Sequence, residues 1–90
     1  MNTSFQTVIV DDDQFSQEVI KDLLERYFTN YRVASAFFSV KHSVKSLPSV
    51  QPDLVFLDIE LPDGKGFDVL EQLDKIDFEV ICREPVLSIE

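Results

Sequence analysis

The feature that most constrains the fold is an unbroken apolar run at residues 54–57, which passes directly into Asp58 and a turn rich in Pro and Gly. An apolar run of this length, closed by turn residues, is typical of a strand buried on both faces. Such strands belong to parallel α/β sheets, in which ligands bind outside the carboxyl ends of the strands. Asp58 is therefore a candidate metal ligand or nucleophile, unless it only opens a turn.

The rest of the chain alternates between strand patterns and helix patterns. Strands are predicted over 5–10, 31–38, 54–58 and 78–82. Helices are predicted over about 14–28, 40–47 and 66–76. Pro48 is expected to end the second helix. The alternation predicts an α/β fold with a doubly wound parallel sheet and right-handed crossovers, of about four strands and three helices.

The charge and apolar content of this segment limit the classes of partner that it can bind. Its 90 residues, 44% of them apolar, predict one small domain with a real core. The net charge of −9 argues against nucleic acid and anionic membrane surfaces as partners. No apolar run is long enough to span a bilayer, and the first residues lack the pattern of a signal peptide. With a single cysteine, Cys82, the expected compartment is the cytoplasm.

Acidic residues close two of the predicted strands. Asp11 and Asp12 follow the first strand, and Asp58 closes the third. These strands are expected to be neighbours, so three carboxylates would meet at one edge of the sheet, where like charges repel. A hard divalent cation such as Mg²⁺ would remove the conflict and stabilise charge on a transferred phosphoryl group. In the alternative, Asp12 or Asp13 caps the next helix and the run only solvates a loop.

Two motifs resemble those of response regulator receiver domains. One runs from Val8 to Asp13 and the other from Leu57 to Leu70. The resemblance covers about residues 5–82 and implies a flavodoxin-like receiver fold, incomplete at its C-terminal side, over residues 1–82. The sequence around Asp58 is most similar to that of receivers that carry a LytTR-type DNA-binding output domain.

The resemblance implies a role for each matching residue. Asp58 matches the phosphoacceptor, which takes a phosphoryl group from a sensor histidine kinase. Asp11 and Asp12 match the acidic pair that holds Mg²⁺, with Asp12 favoured as the direct ligand. The remaining metal ligands would be Asp58 and the backbone carbonyl of Glu60. The turn residues that shape the loop after the phosphoacceptor are Pro62 and Gly66.

The C-terminal part departs from the family pattern. Receivers usually have five strands and five helices, with a Thr or Ser ending strand four and a Lys ending strand five. Here Arg83 or Glu84 stands at the hydroxyl position, the Lys has no counterpart, and residues 83–90 are interpreted as an atypical tail. Either a shifted reading frame or a gene-model error truncated the receiver, or this is a short protein that keeps half of the fold. Self-association through an exposed sheet edge is expected in both cases.

The predicted function is that of a phosphorelay component, not an enzyme, whose phosphorylation on Asp58 is impaired by the missing hydroxyl and Lys contacts. One alternative is a non-catalytic interaction module that binds a kinase or a regulator through the 14–28 helix or an open sheet edge. Another is a metal-dependent phosphohydrolase, for which Glu60 has the right spacing from Asp58 but Leu61 and Pro62 do not continue the motif.

Three further residues are predicted to have ordinary roles. His42 is expected to be a solvated residue of a short helix. Cys82 is expected to be a small residue of the hydrophobic core. Lys65 lies in the turn after Asp58 and is expected to be solvated rather than to bind phosphate.

Overall fold

A computed structural model describes residues 4–83. The strands are β1 (Phe5–Val10), β2 (Tyr31–Phe37), β3 (Leu54–Asp58), β4 (Glu60–Leu61), β5 (Gly64–Lys65) and β6 (Glu79–Arg83). The helices are α1 (Gln14–Tyr27), α2 (Val40–Val50) and α3 (Gly66–Gln72). Four strands form a parallel sheet in the order β2-β1-β3-β6, and β4 pairs with β5 in a short antiparallel hairpin. The predicted α/β class, parallel sheet and adjacency of the first and third strands are confirmed.

The two faces of the sheet are covered by different helices. Strand β1 is buried on both faces, and its side chains alternate between two apolar clusters. Val8 and Val10 pack in the larger cluster, together with residues of β3, α2 and α3. Ile9 packs on the opposite face against Ile20 and Leu24 of α1. The carboxyl ends of β1 and β3 are thereby held at the centre of one edge of the sheet.

Two helix ends differ from the prediction. Helix α2 continues through Pro48 to Val50, because the proline removes only the hydrogen bond of its own missing N–H and the last turn still forms. Gln51 then closes the helix in the left-handed conformation, with its N–H donating to the carbonyl of Leu47 at 3.2 Å. Helix α3 ends at Gln72, four residues before the predicted end at residue 76. Leu73 is extended, and the acidic Asp74 that follows would be disfavoured at the negative end of a helix dipole.

Strand β6 lies at an outer position, next to β3. Its residue Cys82 is exposed, so the prediction of a core cysteine is wrong. Cys82 stands beside Leu57 in the sheet, but it belongs to an outer strand and its side chain stays exposed. Arg83 is the last residue of β6, and the rest of the predicted tail, 84–90, lies outside the described residues. The boundary proposed at residue 82 stays a prediction.

No helix of residues 4–83 has both the length and the apolar character needed to cross a membrane.

Candidate acidic metal site

Three carboxylates meet at the carboxyl edge of the sheet. Oxygen atoms of Asp11, Asp12 and Asp58 all lie within 4.8 Å of one another. Parallel pairing of β1 with β3 brings them together, since both strands end at this edge. Asp11 is buried, Asp58 is partly buried and Asp12 is exposed, so the cluster is open to solvent on one side. The structure thus assembles the three carboxylates that the sequence singled out, while their functional roles stay predictions.

Asp11 is the most constrained of the three carboxylates. Its Oδ1 accepts a hydrogen bond of 2.9 Å from the backbone N–H of Asp13. Its Oδ2 accepts one of 2.6 Å from Nη1 of Arg83. Burial raises the pKa of Asp11 above its ordinary value, and the nearby negative charge of Asp58 adds to this effect. The Asp13 N–H and the Arg83 guanidinium oppose that rise because they favour the ionised carboxylate.

The backbone of Asp11 is held by Gln17, which the sequence analysis missed. The buried amide Nε2 of Gln17 donates to the carbonyls of Asp11 and Phe37, at 2.8 and 3.1 Å. The N–H of Asp11 also donates to the carbonyl of Phe37, at 3.0 Å. These bonds tie the ends of β1 and β2 to α1. The sequence feature that could have indicated this contact is a glutamine on the inward face of a predicted helix.

Asp13 has a structural role instead. Its carboxylate accepts hydrogen bonds from the backbone N–H of Phe15, at 3.2 Å, and from the hydroxyl of Ser16, at 2.9 Å. It is therefore the N-cap of α1. Of the three consecutive aspartates, two belong to the acidic cluster and one caps a helix. Both hypotheses from the sequence, a metal site and a helix cap, therefore apply to part of the run.

The loop after Asp58 carries the remaining predicted site residues. Glu60 lies in β4, with its side chain exposed and paired with the ammonium of Lys65. Pro62 is exposed at the tip of the hairpin. Gly66 is buried at the start of α3, and its N–H donates to the carbonyl of Ile59 at 2.8 Å. Lys65 is thus engaged outside the acidic cluster, in keeping with its predicted solvated role.

Asp63 anchors this hairpin to the neighbouring helix. Its two carboxylate oxygens accept hydrogen bonds from the N–H groups of Val40 and Lys41, at 2.7 and 2.9 Å. These bonds from Lys41 and Val40 hold the pKa of Asp63 below its ordinary value. Asp63 therefore fixes the loop after Asp58 against the N-terminus of α2. No local pattern in the sequence marks this contact.

Arg83 is the second residue that joins the cluster without having been predicted to do so. Strand β6 places it beside Asp58 in the register of the sheet. Its guanidinium reaches past β3 to Asp11. Whether Arg83 or Glu84 takes the place of the hydroxyl expected from the resemblance stays a prediction, because Glu84 lies outside the described residues.

The donor set of the cluster fits a hard divalent cation. All three side chains offer oxygen, which Mg²⁺ prefers to nitrogen or sulfur. The exposed side of the cluster leaves room for water ligands, which Mg²⁺ usually retains. His42 is exposed on α2, as predicted, and its ring is tilted against that of Phe37, with 4.8 Å between ring centres.

Doubly wound α/β domains bind their ligands outside the carboxyl ends of the strands, which is where this acidic cluster lies. Residues 7–83 match the response regulator receiver domain family, and the chain belongs to this family.

Individual relatives agree with this membership. The chain is 31% identical to the chemotaxis protein CheY of Thermotoga maritima over 72 residues, which cover 80% of this chain and 58% of that protein. It is 32% identical to the sensory transduction protein LytT of Bacillus cereus over 71 residues, or 79% of this chain and 28% of LytT. LytT proteins were the expected kind of relative. The chain spans less than two thirds of either relative.

Solved structures show the same fold. A MaeR mutant response regulator bound to sulfate superposes with a TM-score of 0.82 and 28% identity, covering 94% of this chain and 70% of that one. The response regulator domain of Thermotoga maritima CheB gives a TM-score of 0.81 at 24% identity, covering 90% and 60% of the two chains. The predicted flavodoxin-like receiver fold is confirmed.

Proposed function

We propose that this chain is a cytoplasmic phosphoacceptor module, not an enzyme, and that Asp58 receives a phosphoryl group from a sensor histidine kinase. Asp11, Asp12, Asp58 and the backbone carbonyl of Glu60 would hold Mg²⁺. The observation that carries the proposal is the convergence of three carboxylates within 4.8 Å at the carboxyl edge of the sheet. Family membership supports it.

In the proposed reaction, a carboxylate oxygen of Asp58 attacks the phosphorus of a phosphohistidine. A P–O bond forms on Asp58, the P–N bond breaks, and the imidazole keeps its electron pair and takes up a proton from solvent. Bound Mg²⁺ would neutralise charge on the phosphoryl oxygens. The carbonyl of Asp11 is held by Gln17 and its Oδ1 by the N–H of Asp13, so Asp11 is already positioned at the cluster before a ligand binds.

The rate of this transfer is expected to be low. Arg83 stands beside Asp58 in the register of the sheet, where the resemblance leads us to expect a hydroxyl, and no lysine of the described residues forms an ion pair with the acidic cluster. A guanidinium can pair with phosphoryl oxygens, but it does not replace a small hydroxyl in shape or reach.

The proposal is tested by thermal melting with circular dichroism, with and without Mg²⁺ and beryllofluoride, a phosphoryl mimic. A ligand that binds only the folded state raises its stability, by about 2.7 kcal/mol at 100 times its Kd. We expect an upward shift for the wild-type chain and for Asp74→Asn, an exposed matched control, and none for Asp58→Asn. Equal shifts in all three proteins would exclude Asp58 as the phosphoacceptor.

A second candidate function, that of a binding module, is favoured by the outer face of α1. Four side chains spaced by four residues form an apolar row there: Phe15, Val19, Leu23 and Tyr27, exposed by 72, 41, 46 and 69%. Such a row is typical of a docking surface for another protein. Its proposed partner is the histidine kinase or a full-length regulator. If binding of the kinase or regulator is lost in Leu23→Ser but kept in Asp58→Asn, the binding-module function is favoured over the phosphoacceptor function.

Strand β6 adds a further proposal, self-association. It pairs only with β3 among the described strands, so its outer edge is open to a strand of a second copy. Sedimentation velocity over a range of concentrations tests this. A monomer at every concentration contradicts it.

A further inference from the structure

The ion pair between Arg83 and Asp11 joins the last described strand to the first. The Nη1–Oδ2 distance is 2.6 Å, and the side chains are 34% and 5% exposed, respectively. This pair is far more buried than the other ion pairs of residues 4–83, whose side chains are all at least 57% exposed. Exposed pairs contribute little, whereas a buried carboxylate left without a partner is costly.

The backbone holds Arg83 in this position. Arg83 pairs with Asp58 in the β3–β6 register, and its carbonyl accepts a hydrogen bond of 3.1 Å from the N–H of Ile59. The guanidinium is therefore fixed at the edge where the carboxylates meet. The ammonium of Lys65 is paired with Glu60 on the hairpin, so it does not neutralise the three carboxylates.

We propose that Arg83 is a built-in counter-ion of the acidic cluster, which competes with a divalent cation for Asp11. Without a metal ion, the guanidinium offsets the repulsion among three carboxylates. When a cation enters, the two positive charges repel, and Asp11 has to exchange its Arg83 partner for the metal or share it. The inference rests on the proposed metal site, and it predicts that Arg83 weakens metal binding.

The test is the affinity for Mn²⁺, a spectroscopic stand-in for Mg²⁺, measured by electron paramagnetic resonance on the full chain. Removing one positive charge several ångströms from a divalent ion in a water-like dielectric strengthens binding roughly three- to tenfold. We expect this gain for Arg83→Gln. The matched control is Arg26→Gln, which removes the same charge from an exposed pair with Asp22 on α1 and leaves the affinity unchanged.

A second measurement needs no variant. The side-chain ¹⁵N resonances of Arg83 in the wild-type chain are followed during a Mg²⁺ titration, with those of Arg26 and Arg32 as internal references. We expect the Arg83 signals to move in step with metal occupancy. The inference is overturned if these signals stay still while metal binds, or if folded Arg83→Gln binds Mn²⁺ no more tightly than the wild type. If no protein binds Mn²⁺, the proposed metal site itself is overturned as well.

Discussion

Gly66 lies directly against the backbone of Asp58. A Cβ atom at position 66 would overlap the carbonyl oxygen of Asp58 and would lie 3.0 Å from Cγ of Leu57. The start of α3 is thus packed against the end of β3 backbone to backbone. This contact positions the loop that follows the proposed phosphoacceptor, and it requires a residue without a side chain.

Gly66→Ala is expected to destabilise the protein by about 2–3 kcal/mol, because the added methyl group forces apart two backbone segments that cannot both relax. The measurement is the free energy of unfolding in urea. Glu71→Ala, on the exposed side of the same helix, is the control and is expected to change stability by less than about 0.5 kcal/mol. Equal effects of the two substitutions would mean that α3 is not packed against β3 in this way.

Gln17→Met is expected to lower the free energy of unfolding by about 1–3 kcal/mol, because the Asp11 carbonyl loses its buried donor while the Phe37 carbonyl keeps only the N–H of Asp11. It is also expected to weaken Mn²⁺ binding, since the backbone of Asp11 loses its anchor. Gln14→Met is the matched control, because Gln14 is exposed and its amide contacts only Glu18 among the described side chains. Unchanged metal affinity in folded Gln17→Met would show that Gln17 is structural only.

Sequence reasoning succeeded where a feature follows from periodicity or topology. The apolar run before Asp58 predicted a central strand, although only its Val55 and Leu57 face is fully buried and Phe56 on the other face is half-buried, and the alternation of elements predicted the parallel sheet. Once β1 and β3 are neighbours, Asp11 and Asp58 have to lie at the same edge. That part of the site follows from the fold itself.

What the sequence did not predict depends on contacts between distant residues. Gln17, Asp63 and Arg83 are joined to their partners across elements, and no local pattern encodes such pairs. The exposure of Cys82 likewise depends on which helix covers β6, not on the apolar strand around it. Pro48 was expected to end α2, but a proline removes only the hydrogen bond of its own missing N–H, and Gln51 beyond it still donates to the carbonyl of Leu47.

Thr7→Val is expected to stabilise the protein by about 1 kcal/mol, because the hydroxyl of Thr7 is fully buried in β1 and has no hydrogen-bond partner among the described residues. Valine keeps the shape and removes the unpaired polar atom. The measurement is the midpoint of urea unfolding. Thr7→Ser is the control, since it keeps the hydroxyl and loses the methyl group, and it is expected to destabilise. A loss of stability in Thr7→Val would indicate that the hydroxyl is in fact satisfied.

Asp63→Asn is expected to lower stability most at neutral pH. The asparagine has one acceptor oxygen for two helix N–H groups and no charge to interact with the α2 dipole. Because folding lowers the pKa of Asp63 from 3.8, its contribution is complete above that value and is lost as the pH falls through the lower folded pKa. The gap in urea midpoint between wild type and variant is therefore expected to be widest above pH 3.8 and to close as the pH falls through the lower folded pKa. Asp74→Asn is the control, because it shows how the same substitution changes the urea midpoint at another exposed site. A gap that stays constant over this pH range would mean that the Asp63 carboxylate does not hold the N-terminus of α2.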